Sequence, residues 1–177
     1  MSSSFKITKK RASDYILYSA IIAIGVLLDQ ITKWLSVKFL TKVVTVPIIK
    51  NVIHLTYVEN RGAAFGMFQN QRWIFMITST VMIIGLSLYL YLGFAENKLY
   101  EISIAMIVSG GIGNMIDRIA LKYVIDFIDF RLINFAVFNG ADSFVCVGAG
   151  LLILALVLDI IEESKKAKSV KNNQDTE

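Results

Sequence analysis

The feature that most constrains this chain is a long stretch without charge, from Trp73 to Ala95. A helix crosses the roughly 30 Å hydrocarbon core of a bilayer with about 20 mostly apolar residues. Three more stretches are mostly apolar but carry charged residues near their ends. They qualify as spans if those charged ends lie at the interface or inside the bundle. The sequence therefore predicts an all-α membrane protein with four transmembrane spans, at about 15–36, 73–95, 100–119 and 141–161.

Composition agrees with this class and excludes others. Hydrophobic residues make up 55% of the chain and charged residues 18%, against about 45–50% and about 25% in soluble domains. Cys146 is the single cysteine and His54 the single histidine, so a disulfide framework or a site rich in Cys and His cannot be built. We expect one integral membrane domain over 1–177, with no metal and no cofactor.

The distribution of basic residues predicts how the spans are oriented. Lys and Arg are denser on the side that holds both termini, which comprises 1–14, 96–99 and 162–177. The positive-inside rule then places both termini in the cytoplasm. A basic charge at the two ends indicates membrane topology rather than nucleic-acid binding. A cleavable signal peptide is the alternative for the first span, but no small-residue cleavage site follows it.

The segments outside the spans differ in amino-acid composition and therefore in predicted structure. Residues 43–58 are β-branched and aromatic with partial alternation, which predicts two or three short strands within an outer, β-rich segment of about 37–72. The polar, Lys-rich stretch 162–177 predicts a disordered cytoplasmic tail. Glycines in the third and fourth spans predict close helix packing. These glycines are Gly110, Gly111, Gly113, Gly148 and Gly150.

Polar residues inside or beside the spans gather toward the outer face and are scarce toward the inner one. Their positions are Asp29, Lys33, Asn60, Asn114, Asp117, Arg118, Asp126, Asn139 and Asp142. A carboxylate in or beside hydrocarbon is costly unless it is paired or hydrated. Convergence of such residues on one face therefore predicts a functional site near the outer face. Asp129, in the same segment as Asp126, is either a residue that supports the site or a solvated loop charge, and we favour the loop charge.

Structural roles compete with functional ones at these positions. Three pairs of residues at helical spacing could have either a structural or a functional role. They are Asp29 with Lys33, Asn114 with Arg118, and Asn139 with Asp142. The first pair could simply neutralise itself, the second could be a snorkelling interfacial pair, and the third could cap a helix N-terminus.

Acid–base catalysis by two carboxylates is the chemistry that these residues supply best. If Asp126 and Asp142 come together, repulsion prevents both from ionising and they share one proton. The ionised group could take a proton from water while the protonated group polarises a peptide carbonyl. Spacing alone leaves Asp117 with Asp142 as an alternative dyad. Serine and cysteine nucleophiles are disfavoured, since each lacks a suitable base or oxyanion donors in the sequence.

Five blocks of residues, in this order, resemble the signature motifs of the bacterial lipoprotein signal peptidase (signal peptidase II) family. The blocks are Asp29–Lys33, Asn60–Phe65, Gly111–Arg118, Val124–Ile128 and Phe138–Asp142. The resemblance implies a bundle of four transmembrane helices with a small extracytoplasmic β-cradle, which corresponds to 43–58.

The same resemblance implies an activity. It indicates an aspartic endopeptidase of the bacterial cytoplasmic membrane, which removes the signal peptide from diacylglyceryl-modified prolipoproteins just before the lipobox cysteine. Matched block to block, the catalytic dyad falls on Asp126 and Asp142. The supporting or substrate-binding positions are Asp29, Lys33, Asn60, Gly62, Asn114, Asp117, Arg118 and Asn139. The implied partners are lipid-modified prolipoproteins and the phospholipid bilayer; we expect a monomer that binds no nucleic acid.

Two positions depart from the family pattern. Lys122 stands where the family usually has glycine, so the turn that presents Asp126 is in question. Gly140 stands where the family usually has a branched apolar residue, which loosens the predicted start of the fourth span. Neither departure removes a proposed catalytic group.

Functions of other classes remain alternatives. A small four-span proton- or cation-coupled transporter would also carry intramembrane carboxylates. That function predicts essential charges near the bilayer midplane, whereas the charges here stand toward one interface. A membrane scaffold without chemistry would tolerate the loss of both aspartates.

Overall fold

Four helices carry most of the chain in the computed structural model, which describes residues 10–62, 71–95 and 97–174. The helices are α1 (Ala12–Leu40), α2 (Arg72–Tyr91), α3 (Lys98–Ala120) and α4 (Gly140–Gln174). Each contains a stretch long and apolar enough to cross a membrane. This confirms the prediction of four spans.

The helix α3 lies at the centre of the bundle, where about half of its apolar stretch is buried against the other helices. Glycines allow α4 to approach it closely. A Cβ atom at Gly110 would stand 2.2 Å from the backbone oxygen of Ala141, and one at Gly148 would stand 2.8 Å from that of Ser103. Close helix packing is therefore confirmed at these positions, whereas at Gly150 no described residue lies within 4 Å of the position where a Cβ would stand.

A small antiparallel sheet covers one end of the bundle. Its strands are β1 (Thr45–Ile49), β2 (Ile53–Asn60) and β3 (Val124–Phe130), in the order β1-β2-β3. Strands β1 and β2 come from the segment where the sequence predicts strands. Strand β3 comes from the motif block around Asp126, and its register places that residue opposite Val58 and places Val124 opposite Asn60.

Asp129 is not the solvated loop charge that the sequence suggests. It lies in β3 and is only 9% exposed, and it accepts hydrogen bonds from Thr56 Oγ1 (2.8 Å) and Arg131 Nε (2.8 Å). Burial alone would raise the pKa of Asp129, but the hydrogen bonds from Arg131 and Thr56 outweigh it and leave the pKa below its usual value. The residue stabilises the sheet.

The fourth helix continues where the sequence predicts a disordered tail over 162–177. Residues 162–174 are helical as part of α4, and 175–177 lie outside the described residues. Glu162 and Lys166 form an ion pair of 2.6 Å at i,i+4 spacing. Such pairs support a helix that the preceding apolar turns have already nucleated, which explains the difference from the prediction.

Polar residues are also buried at the end of the bundle opposite the sheet, contrary to the expectation that they are scarce there. Glu101 is 2% exposed and accepts from Lys10 Nζ (2.6 Å) and Lys98 Nζ (2.8 Å). Lys98 also contacts Asp14. This cluster ties the start of α1 to the start of α3, and sequence spacing does not reveal it because its members lie far apart in the chain.

Candidate active site

A cavity of about 550 Å³ opens between α3, α4, β3 and the segment 135–138. Its polar lining comprises Asn60, Asn114, Arg118, Asp126 and Asp142, with Gly62 and Ser143 beside them. Its apolar lining comprises Val124, Phe135, Ala136, Val137, Phe138, Cys146 and Val147. The cavity thus combines a polar wall that holds two carboxylates with an apolar wall.

Asp126 is held by two amide donors. It is 1% exposed, and it accepts hydrogen bonds from Asn60 Nδ2 (2.9 Å) and Asn139 Nδ2 (2.6 Å). Asn60 reaches it because β2 and β3 pair side by side, and Gly62 N donates to Asn60 Oδ1 (3.0 Å) and so orients that amide. Burial raises the pKa of Asp126 to about 6; the charge of Asp142 adds to this effect and the Asn60 hydrogen bond opposes it.

Asp142 lies in the first turn of α4 and lines the same cavity. Its carboxylate accepts from Asn114 Nδ2 (2.7 Å) and from the backbone N–H of Asn139 (3.2 Å). Asn139 Oδ1 accepts in return from the Asp142 backbone N–H (2.9 Å). These reciprocal bonds form a capping box, in which each side chain satisfies a backbone donor at the helix start.

Asn139 caps α4, as one of its two predicted roles requires, and it also contacts both Asp126 and Asp142. Its side chain is fully buried. Its Nδ2 donates to Asp126 while its backbone N–H donates to Asp142, so one residue is bonded to both carboxylates.

The pair Asp29 and Lys33 is a buried ion pair with a wider set of partners. Lys33 Nζ lies 2.8 Å from Asp29 Oδ2 and 3.0 Å from Asp117 Oδ2, and it donates to Asn114 Oδ1 at 3.0 Å. Asp117 is thus held by a cation, and it is not among the described residues that line the cavity. This arrangement favours Asp126 rather than Asp117 as the partner of Asp142.

Arg118 lines the cavity together with Asp126 and Asp142. Its guanidinium carbon lies 5.5 Å from the centroid of the Phe75 ring, and its Nη1 contacts the Asn114 backbone oxygen at 3.4 Å. The guanidinium group keeps a positive charge near both carboxylates. The rest of the Asn60–Phe65 motif, Ala63 to Phe65, lies outside the described residues.

Several lining residues are missed by sequence reasoning. The segment 135–138 forms the apolar wall, because the Phe138 backbone pairs with Ile128 and holds the segment against β3. Cys146 also faces the cavity, and its place one helical turn after Asp142 is the signal that could have shown this. Gln30, whose Nε2 donates to Asp117 Oδ1 at 3.1 Å, stands next to Asp29 in the first motif.

No group of three or more His, Cys, Asp or Glu that could hold a metal ion occurs within 10–62, 71–95 and 97–174. Lys33 pairs with Asp29 and Asp117, and Arg118 lines the cavity together with Asp126 and Asp142.

Fold and site together define a four-span membrane protein with a carboxylate-lined cavity under a small sheet. The family model described as signal peptidase (SPase) II matches residues 21–158. This chain is 52% identical over 132 residues to the lipoprotein signal peptidase of Caldanaerobacter subterraneus subsp. tengcongensis, covering 75% of this chain and 90% of the relative. It is 37% identical over 159 residues to that of Halalkalibacterium halodurans, covering 89% and 99%.

A solved structure agrees with these relatives. A bacterial membrane enzyme determined by the in meso method at 2.3 Å resolution matches with a TM-score of 0.74 and 29% identity, over 81% of this chain and 89% of that one. The chain belongs to the signal peptidase II family, and the resemblance seen in its motifs is confirmed. It is therefore a membrane peptidase of a bacterial family.

Proposed function

We propose that this chain is an aspartic endopeptidase that cuts the signal peptide from diacylglyceryl-modified prolipoproteins, just before the lipobox cysteine. The observation that carries the proposal is that Asp126 and Asp142 line one cavity and are both bonded to Asn139. Family membership supports the removal of signal peptides from prolipoproteins.

The two carboxyl groups differ in the role that we assign to them. Burial raises the pKa of Asp126 to about 6, so it is the better carrier of the shared proton and hydrogen-bonds the scissile carbonyl oxygen. Asp142 lies at the N-terminus of α4, where the helix dipole stabilises a negative charge. In its ionised form it takes a proton from a water molecule.

The reaction then follows general acid–base hydrolysis. The water oxygen attacks the carbonyl carbon as its proton passes to Asp142, and the carbonyl oxygen receives the Asp126 proton. When the C–N bond breaks, the leaving nitrogen takes a proton from Asp142 and the tetrahedral hydroxyl returns its proton to Asp126. Both carboxyl groups regain their starting states without a covalent intermediate.

The remaining proposals concern orientation and substrate. We place both termini in the cytoplasm and the cavity near the outer face, since Lys and Arg are denser beside the termini. The apolar wall from Phe135 to Phe138 suits the apolar residues of a signal peptide. One chain supplies all of these groups, so a monomer is expected to suffice. No observation favours the transporter alternative.

Substitution of each aspartate tests this proposal. With either Asp126→Asn or Asp142→Asn, lipid-modified prolipoprotein should accumulate uncut, with a rate loss of about a hundredfold to ten-thousandfold, because one half of the acid–base pair is lost. Cleavage is followed by the mass of the lipoprotein in cells that depend on the variant. The control is Asp159→Asn, a carboxylate of α4 that does not line the cavity. Wild-type processing by both variants would contradict the dyad, provided that each variant is present in the membrane.

A further inference from the structure

The residue before each proposed catalytic aspartate is bonded to one shared ion cluster. The backbone N–H of Ala141 donates to Asp29 Oδ1 (2.8 Å), and that of Ile125 donates to Asp117 Oδ2 (3.1 Å). Lys33 Nζ lies within 3.0 Å of both of these carboxylates. A single ammonium group thus connects the backbone beside Asp142 with the backbone beside Asp126.

The same ammonium group also orients a side chain that contacts the dyad. Lys33 Nζ and Asn139 Nδ2 both donate to Asn114 Oδ1, at 3.0 Å and 3.1 Å. With its oxygen turned toward two donors, the Asn114 amide must present Nδ2 to Asp142, at 2.7 Å. A flipped amide would place NH₂ hydrogens against the ammonium group, because a lysine only donates.

The cluster lies out of reach of a bound peptide. Asp29, Lys33 and Asp117 are 2%, 1% and 3% exposed, and the described lining of the cavity does not include them. Asp29 and Lys33 come from α1, whereas Asp117 comes from α3, next to β3. Charges buried together in a low dielectric hold their geometry strongly, since the alternative is an unpaired buried charge.

We infer that Lys33, with Asp29 and Asp117, is a positioning centre that sets the separation and orientation of the Asp126 and Asp142 carboxyl groups without touching the substrate. This inference rests on the proposed function, because it presumes that these two groups perform the chemistry. It assigns α1, which contributes no described residue to the cavity wall, a direct role in catalytic geometry.

Two variants separate positioning from folding. Lys33→Met removes the ammonium group at similar length. Asp29→Leu/Lys33→Met/Asp117→Asn removes all three charges, so no unpaired ion remains to prevent folding. The asparagine at 117 keeps an acceptor for the Ile125 N–H, while the leucine at 29 leaves the Ala141 N–H without one. Lys38→Met is the matched control, because Lys38 is an exposed lysine of the same helix.

The first readout is kinetic, on a diacylglyceryl-modified prolipoprotein peptide and purified full-length enzyme. Both variants should lose at least about tenfold in kcat with KM changed less than about twofold, since misplaced catalytic groups raise the barrier without weakening binding. Lys38→Met should equal the wild type. Unchanged kcat per folded molecule in the triple variant would overturn the inference and leave the cluster a stability element only.

The pH dependence of kcat/KM is a second kinetic readout. It would not change if the cluster only stabilised the fold. The groups facing Asp126 are Asp142 from α4, Lys33 from α1 and Arg118 from α3, with the Asn60 and Asn139 amides as donors. The charge of Lys33 lowers the pKa of Asp126, so Lys33→Met should shift the kcat/KM profile toward higher pH. A profile that stays in place would contradict this part of the inference.

The second readout does not depend on activity. Amide hydrogen exchange at Ala141 should become faster in the triple variant, while exchange at Ile125 stays slow because that acceptor is kept. Equal exchange at Ala141 in the variant and the wild type would overturn the inference. If exchange changes as expected but wild-type enzyme does not cut the lipopeptide, the proposed function fails instead.

Discussion

At the scale of residues, Asp126 and Asp142 occupy different environments. Asp126 accepts two side-chain amide hydrogen bonds and is almost fully buried, whereas Asp142 is partly exposed at a helix N-terminus. Different environments give two carboxyl groups different pKa values, so that one can act as the acid and the other as the base.

The pH dependence of the wild-type enzyme follows from this difference. Since burial raises the pKa of Asp126 to about 6, the free enzyme loses the shared proton as the pH rises through that value. We expect kcat/KM to fall above about pH 6, and kcat to persist to higher pH because a bound peptide removes water and raises the pKa further. Rates measured from about pH 5 to about pH 9 check this. A flat kcat/KM across that range would contradict it.

At the scale of elements, the start of α4 is the part of the fold on which the site most depends. Its capping box orders the backbone from Asn139 to Asp142, and the same asparagine bonds Asp126 on β3. The start of α3 has a comparable cap far from the cavity, where Asn97 Oδ1 accepts from Leu99 N and Tyr100 N.

These two caps form a matched pair for mutation. Asn139→Ala and Asn97→Ala should each lower stability by about 1 kcal/mol through the lost cap, seen as a lower thermal midpoint in detergent. Only Asn139→Ala should also lower kcat, by about tenfold or more, because Asp126 loses a donor that holds it. An equal loss of kcat in both variants would show that activity follows helix stability instead.

At the scale of the whole molecule, packing of α3 against α4 brings together the residues of these two helices that line the cavity. Gly110 makes this possible, because its bare backbone lies against Ala141, next to Asp142. Gly85, in α2, has no described atom within 4 Å of the position where a Cβ would stand.

Alanine at these glycines should have opposite effects. Gly110→Ala would push the two helices apart, so we expect less folded protein in the membrane and a lower kcat in what remains. Gly85→Ala should stabilise α2 by up to about 1 kcal/mol through helix propensity and leave activity unchanged. The measurements are the thermal midpoint and the cleavage rate. Normal stability and rate in Gly110→Ala would refute the role assigned to this contact.

Part of the site could be predicted from single positions. A carboxylate or amide is rare beside an apolar span, so the sequence alone identifies the positions that line the polar wall. Lys122 is instructive as well, since its φ of 74° lies in the left-handed region that favours glycine. The residue that the family usually has there therefore suits this turn, and Lys122 adopts it at some cost in backbone strain.

Other parts depend on contacts between distant segments. No periodic pattern in the sequence predicts three features of the structure, because each arises where residues far apart in the chain meet. These are the pairing of β3 with β2, the apolar wall at 135–138 and the burial of Glu101. The sequence does not predict the helical end of α4 for a different reason. Its polar composition is typical of a disordered tail, and it is helical because it extends a long helix that has already formed.

The sequence is sufficient to show that this chain lies in a membrane. It also shows which polar residues need partners or water, because they stand in or beside the apolar spans. The reason is that hydrocarbon tolerates long apolar helices and penalises isolated charge, and both properties can be seen residue by residue. Only the tertiary structure brings Asp126 and Asp142 to one cavity and pairs Asp29 and Asp117 with a cation. Lys33 reaches Asp29 and Asp117 because α1 packs against α3, and no described residue of α1 lines the cavity that Asp126 and Asp142 share.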